Sequence, residues 1–146
     1  MRTDPVPQAP LVHLLYTSTA ANLMENAALD ALLAQSREKN ARHDITGFLL
    51  YKSGYFVQVL EGPESAVRSL YAAIERDRRH RLVTLIFCRP IAEREFSEWQ
   101  MGFRRVEANE PWPEGFSDLF TDPQKFRNLA AGKIGRLFQV FADSIR

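Results

Sequence analysis

A length of 146 residues fits one domain with a modest appendage, and we expect no separate catalytic domain. With 19 Lys and Arg against 18 Asp and Glu, the formal net charge of +1 predicts neither nucleic acid nor an anionic membrane as a partner. Cys88 is the only cysteine, which excludes an internal disulfide and a thiolate metal site and favours a reducing, cytoplasmic location.

The N-terminal region predicts a leader followed by a strand and a helix. Residues 1–10 contain several prolines and lack the apolar core of a signal peptide, so we expect a flexible leader. Residues 11–17 (LVHLLYT) form an apolar run of strand length. Residues 22–39 then carry leucines at helical spacing, with Asn22 or Asn26 as candidate N-caps. No apolar run approaches the roughly 20 residues that span a bilayer.

The remaining elements alternate in the same way. In chain order the sequence predicts a strand at 45–51, a Ser53-Gly54 turn, a strand at 55–61, an amphipathic helix at 67–74, a strand at 82–88 and a last strand at 99–106. The order β-α-β-β-α-β-β is that of an α+β, ferredoxin-like fold over residues 11–106. Right-handed crossovers then place both helices on one face of the sheet, with the first and third strands adjacent at its centre.

Residues 107–146 differ in composition from the rest of the chain. Prolines and a glycine predict a linker, and apolar residues then recur at helical spacing, which predicts one C-terminal amphipathic helix or a pair. Both faces of the first strand are mostly apolar, so the helix-free face of the sheet also needs a cover. We expect the C-terminal helices or a partner subunit to supply it, and a homo-oligomer, a dimer or larger, is our expectation.

Several polar side chains fall where the pattern requires apolar ones. The stripe of the first helix continues to Ser36 and Asn40, and that of the second helix reaches Asp77 and Arg78. Gln58 shares its strand face with apolar neighbours, and a buried amide without partners costs about 1–3 kcal/mol. Some hydrogen-bonding group, from the protein or from a ligand, must therefore lie on that face.

Each of these residues also has an ordinary explanation. Tyr16 can be a core tyrosine whose hydroxyl satisfies Gln58 without any ligand. Asn40 can be a helix C-terminal residue, and the charged run at 77–81 can be a solvated helix end. Their convergence on one face nevertheless indicates a slot lined by polar groups.

A flat heterocycle with carbonyl and ring-nitrogen edges matches this slot. The amides of Asn40 and Gln58 offer donors and acceptors for its edge, while Leu32 and Ile45 can pack on its faces. The sequence shows no nucleophile paired with a base, no glycine-rich phosphate loop and no metal-ligand cluster. Conventional enzyme chemistry therefore has little support.

The chain resembles the BLUF family, the sensors of blue light using FAD. The resemblance runs without gaps in pattern from about residue 11 to residue 103. Its motifs are LLYTS with Tyr16, SREKNARHDITG with Ser36 and Asn40, FVQVLEGP with Gln58, DRRH at 77–80, and FSEWQMGF with Trp99 and Met101. Motifs in this order at compatible spacing are highly specific, and they imply a flavin between the two helices and above the central strands.

The resemblance also implies a role for each site residue. Tyr16 would donate an electron and a proton to the excited flavin, and Gln58 would relay the proton and switch the hydrogen bonds to the flavin N5 and C4 carbonyl. Trp99 and Met101 would carry the change outward. The other implied flavin contacts are Leu32, Ser36, Lys39, Asn40 and Ile45 around the ring, and Asp77, Arg79 and His80 along the ribityl and phosphate side.

By the same resemblance the chain is a short photoreceptor without an enzymatic effector. It would bind FAD noncovalently, with FMN possible, and signal by contact with a downstream protein through its C-terminal helices. Two rival hypotheses stay open at this point. One is a flavin oxidoreductase, and the other is a flavin-free ferredoxin-like interaction module in which Tyr16 satisfies Gln58.

Overall fold

The protein is described by a computed structural model that covers residues 10–97, 101–107, 109–111, 122 and 124–127. Its elements are β1 Leu11–Ala20, α1 Asn26–Arg42, β2 Thr46–Lys52, β3 Tyr55–Pro63, α2 Glu64–Arg76, β4 His80–Pro90, β5 Gly102–Arg105 and α3 Gln124–Arg127. The order predicted from the sequence is confirmed.

The five strands form one sheet in the order β4-β1-β3-β2-β5. β1 pairs antiparallel with both β3 and β4, β2 pairs antiparallel with β3, and β5 runs parallel to β2. The predicted adjacency of β1 and β3 at the centre of the sheet is therefore confirmed. Tyr16 and Gln58 lie directly opposite each other in the β1–β3 register.

Both long helices pack on the same face of the sheet. The apolar core on that face joins side chains of α1 and α2 to alternate residues of β1 and β3, as the two-residue repeat of a strand requires. Its buried members include Val12, Leu14 and Leu60 from the strands, Leu29 and Leu33 from α1, and Val67 from α2. Because Tyr16 belongs to the same alternating set, its ring points toward the helices.

The predicted start and caps of the first helix are wrong. α1 begins at Asn26 after the N-cap residue Glu25, with no side-chain cap. The amide of Met24 donates to the Tyr51 hydroxyl at 3.0 Å, which holds the preceding segment as a loop. Asn26 is not free to cap, because its Oδ1 accepts a hydrogen bond from Arg105 at 2.6 Å. A tertiary contact has replaced the local one.

The turn between β2 and β3 follows the sequence prediction. Ser53 and Gly54 have φ of 48° and 90°. Two consecutive positive φ values define the type I′ turn that a two-residue hairpin prefers, because its twist matches that of the strands. This turn sets the β2–β3 register.

The other strand bounds differ from the prediction by a few residues. β4 runs from His80 to Pro90, longer than the predicted 82–88, and β5 begins at Gly102. Trp99, placed by the sequence at the start of the last strand, lies outside the described residues. Longer pairing with β1 accounts for the longer β4, since the β1–β4 ladder extends to Ala20 opposite His80.

Little of the predicted C-terminal helical extension is described. α3 lies against β4, where the Arg127 Nε donates to the Ile86 carbonyl at 2.7 Å. In return, Arg89 Nη1 donates to the Arg127 carbonyl at 2.9 Å. The remainder of the predicted C-terminal helices, and the cover that they were expected to supply, lie outside the described residues.

A buried carboxylate anchors the connection between β4 and β5. Glu61 is fully buried, and its side chain accepts hydrogen bonds from the Thr46 hydroxyl at 2.9 Å and from the amides of Glu95 at 2.5 Å and Phe96 at 2.9 Å. The two amides would otherwise need other partners inside the protein. Glu61 therefore attaches the segment before β5 to the centre of the sheet.

We expect Glu61→Gln to lower the free energy of unfolding by about 2 kcal/mol, because an amide nitrogen would face a backbone N–H that now has a carboxylate acceptor. Urea unfolding followed by circular dichroism measures the change. The exposed Glu75→Gln is the matched control and should stay within about 0.5 kcal/mol of the wild type. Equal stability of the two variants would contradict the anchoring role.

The helix-free face of the sheet holds a second buried polar pair. His13 Nε2 accepts a hydrogen bond from Arg89 Nε at 3.0 Å, and the Arg89 guanidinium lies 4.2 Å from the centre of the Phe87 ring. Burial, together with the charge of Arg89, lowers the pKa of His13 from 6.5 to about 4. The neutral imidazole is thus the form that the fold stabilises.

The folded protein binds a proton on His13 less readily than the unfolded chain does. Neutral His13 therefore adds to the free energy of unfolding above pH 6.5, and this contribution is lost as the pH falls toward 4. We expect protonation of His13 to account for about 1–2 kcal/mol of the difference in unfolding free energy between pH 7 and pH 4.5. His13→Phe should be less stable at pH 7 and show a weaker pH dependence. The exposed His43→Phe is the control, and an unchanged pH dependence in His13→Phe would contradict this account.

Candidate functional site

A cleft of about 420 Å³ opens between α1, α2 and the central strands. A second cavity of about 340 Å³ adjoins it and shares Lys39, Asn40, Leu70 and Ala73 in its lining. Both lie on the face where the sequence placed a slot. The volumes are typical of small-molecule and cofactor sites.

Tyr16 and Gln58 meet at the floor of the cleft. Both are at least 94% buried, with 4% and 6% of their surfaces exposed. The Tyr16 hydroxyl donates a hydrogen bond to Gln58 Oε1, and Gln58 Nε2 donates to the Met101 sulfur at 3.3 Å. The two bonds fix the orientation of the amide, with its oxygen toward Tyr16 and its nitrogen toward Met101.

The environment keeps the Tyr16 phenol protonated. Burial raises its pKa far above the ordinary value of 10.0, and the neighbouring Tyr71 and Asp77 add to the increase. The Tyr71 ring lies 5.6 Å from that of Tyr16, centre to centre, and burial raises the Tyr71 pKa to about 12. Tyr16 therefore presents a neutral O–H to Gln58.

One face of α1 supplies the wall next to this pair. Leu32, Ser36 and Asn40 are spaced by four residues, so they lie one above the other along the helix, and all three line the cleft. Asn40 is 2% exposed, whereas Lys39 beside it is largely exposed at the rim. The backbone carbonyl of Asn40 accepts the amides of His43 and Ile45, so Asn40 lies in the last turn of the helix, which ends at Arg42.

The sequence predicted Ile45 in the main cleft, and the structure places it outside. It lines the adjoining cavity, together with Lys39 and Asn40, rather than the main cleft. The two cavities share Asn40 in their linings, so Ile45 lies in the cavity next to the main cleft.

A charged group closes the opposite end of the cleft. Arg79 Nε donates to both carboxylate oxygens of Asp77 at 3.0 Å, and this hydrogen bonding lowers the pKa of Asp77. His80 Nε2 lies 2.5 Å from the Ile74 carbonyl, which can only accept, so that nitrogen carries the proton. The other ring nitrogen then accepts from the Ser18 hydroxyl at 2.9 Å.

The structure thus brings most of the predicted site residues together. Arg78, which the stripe of the second helix also reached, is exposed and does not line the cleft. Trp99 lies outside the described residues, whereas Met101 is buried against Gln58. Lining residues that the sequence did not single out are Gln35, Glu38, Arg42, Leu49, Phe56, Leu70, Ala73 and Ile74. The sequence pattern predicts Leu70 and Ile74 as members of the apolar stripe of the second helix, without assigning them to the cleft.

The lining fits a flavin. Apolar side chains of Leu32, Leu70 and Ile74 flank the cleft. Its floor carries a phenol and the carboxamide of Gln58, and the carboxamide of Asn40 lies on its wall. Such amides match the alternating carbonyl and nitrogen edge of an isoalloxazine ring. Among the described positions no group of three His, Cys, Asp or Glu residues is placed to hold a metal ion. None of the described helices is both long and apolar enough to cross a membrane.

Residues 11–102 match the family model of the BLUF domain, the sensors of blue light using FAD. The photoactivated adenylate cyclase subunits beta and alpha of Euglena gracilis are 42% identical over 92 residues and 45% identical over 87 residues, covering 62% and 60% of this chain. The matched regions are 11% and 8% of those proteins, so the chain spans about a tenth of their length.

Solved structures agree with the family match. The BLUF protein BlrB in its dark state has a TM-score of 0.72 at 30% identity, covering 89% of this chain and 96% of that one. A bacterial light-regulated adenylyl cyclase has a TM-score of 0.68 at 31% identity, covering 80% and 35%. BlrP1 of Klebsiella pneumoniae, solved with FMN and cyclic diGMP, has a TM-score of 0.65 at 29% identity, covering 92% and 35%. This chain belongs to the BLUF family of flavin-binding blue-light sensors.

Proposed function

We propose that this chain senses blue light through electron and proton transfer from Tyr16, followed by rearrangement of the Gln58 amide. The observation that carries the proposal is the buried hydrogen bond from the Tyr16 hydroxyl to Gln58 Oε1. When bound in the cleft, a flavin supplies blue-light absorption and, once excited, a strong one-electron acceptor.

The first step uses the protonated phenol of Tyr16. Loss of an electron makes the phenol strongly acidic, so its proton passes along the existing hydrogen bond to Gln58. The raised pKa of Tyr16 ensures that the proton is present beforehand. Electron and proton later return to the tyrosine oxygen, which leaves no net chemical product.

The second step changes the Gln58 amide. While the proton is displaced, the Gln58 side chain rotates or changes tautomer. The group that faces Tyr16 then donates a hydrogen bond, and the group that faces Met101 becomes an acceptor. A thioether can accept a hydrogen bond but cannot donate one. The present hydrogen bond from Gln58 Nε2 to the Met101 sulfur is therefore lost, and Met101 responds to the change in the Gln58 amide. Trp99 joins this relay in our proposal.

Residues along the cleft would hold the cofactor. Asn40 would bind the carbonyl edge of the ring, with Leu32, Ser36, Lys39 and Ile45 packed around it. Asp77, Arg79 and His80 would line the ribityl and phosphate side. We propose FAD as the natural form, in agreement with the description of the family, and FMN as the alternative that the BlrP1 complex supports.

The output would be a change in protein contacts rather than catalysis by this chain. In the proposed division, residues 1–10 are a leader, 11–106 the sensor domain and 107–146 a helical extension that moves against a partner. The link between Arg127 and Ile86 supports a role for the extension, because it joins α3 to the strand beside Tyr16. A homo-oligomer, an unidentified downstream protein and a cytoplasmic location complete the proposal.

The decisive experiment is an absorption spectrum of the purified protein before and after blue light, without added substrate. We expect a yellow protein whose flavin band shifts slightly to the red and returns in the dark. Stable bleaching to reduced flavin would favour an oxidoreductase. A colourless protein that FAD and FMN both fail to reconstitute would favour the flavin-free interaction module. Chromatography of the released cofactor distinguishes FAD from FMN.

Tyr16→Phe and Gln58→Ala should each keep the flavin but abolish the light-induced shift, because each removes one end of the hydrogen bond that the mechanism uses. The matched control is Tyr71→Phe, which removes a hydroxyl from the ring next to Tyr16 and should retain the shift. Difference spectra at equal flavin occupancy provide the measurement. A normal shift in either Tyr16→Phe or Gln58→Ala contradicts the assigned roles.

A further inference from the structure

We propose that Arg37 is a positioning residue that holds Met101 against Gln58 in the dark and thereby sets the lifetime of the light-induced state. The inference rests on the proposed switch at Gln58. It concerns an exposed side chain of α1 that does not line the cleft.

Arg37 makes a direct bond to the main chain of Met101. Its Nε donates to the Met101 carbonyl at 3.0 Å, while the sulfur of the same residue accepts Gln58 Nε2 at 3.3 Å. Met101 itself is 2% exposed. One residue is thus held at two points, from α1 through its backbone and from β3 through its side chain.

The backbone bond matters because of where Met101 lies. The parallel ladder between β2 and β5 begins with the pair Phe48 and Gly102, so Met101 is the residue just before the first rung. β5 contains four residues and is the last strand in the sheet order. Arg37 extends the attachment of this short strand by one residue, to the one that contacts Gln58.

The thioether supports only one orientation of the Gln58 amide. With the oxygen toward Tyr16, an N–H points to the sulfur, but after exchange an oxygen would face a sulfur with no proton between them. A hydrogen bond to sulfur is weak and depends on position, so it contributes only while the sulfur stays in place. By fixing the Met101 backbone, Arg37 favours the dark orientation over the light-induced one.

The test measures the rate of dark recovery after a blue-light pulse in the full-length flavoprotein. Arg37→Met retains the side chain only as far as the position of Nε and has no donor, and we expect recovery about fivefold slower, the effect of one ordinary hydrogen bond. Flavin content and the size of the red shift should stay at the wild-type values. Arg37→Gln places an amide nitrogen the same number of bonds from the backbone as Arg Nε, and it should restore much of the rate.

Two further variants separate positioning from a general loss of charge or stability. Arg76→Met removes an exposed arginine from α2 and should recover at the wild-type rate. In a Met101→Leu background, which lacks the sulfur, Arg37→Met should have little additional effect. Recovery of Arg37→Met at the wild-type rate, equal slowing in Arg37→Gln, or an undiminished effect in the Met101→Leu background would each overturn the inference. Absence of a reversible shift in the wild type would instead overturn the proposed function.

Discussion

The buried hydrogen bond between Tyr16 and Gln58 is the interaction on which the site depends. It joins the two central strands at a point where their backbones are already paired, so the sheet fixes the backbone positions of both residues. The direction of this hydrogen bond also determines which partner the Gln58 amide nitrogen needs. Because the tyrosine proton occupies the Gln58 oxygen, the nitrogen needs an acceptor, and it donates to the sulfur of Met101.

β3 connects this pair to the segment before β5 through its two faces. On the helix side it carries Gln58, and three residues later, on the opposite side, it carries Glu61. Glu61 binds the amides of Glu95 and Phe96, in the same connection that leads to Met101. One strand therefore bonds to Met101 through Gln58 and to the backbone of residues 95 and 96 through Glu61.

The helix-free face offers a second connection, between the sheet and the C-terminal extension. The backbone register of β1 and β4 shifts between Leu15 and Tyr16, and the carbonyl of Ile86, within that irregularity, accepts the Arg127 side chain. Arg89 Nη1 donates to the Arg127 carbonyl, and Arg89 Nε donates to the neutral His13 ring. A displaced α3 would leave these groups to find other partners, so α3 is tied to the strand beside Tyr16.

The sequence by itself determined the element order, the β2–β3 turn and the adjacency of Tyr16 and Gln58, because periodicity, turn chemistry and crossover handedness are local or topological. The family motifs and the helical spacing together also predicted about half of the residues that line the cleft. Only the tertiary structure decided the start of α1, the orientation of the Gln58 amide, the role of Glu61 and the bond from Arg37 to Met101. Those features depend on contacts between residues 15 to 79 positions apart, where a hydrogen bond between distant groups outweighs the weaker local preference.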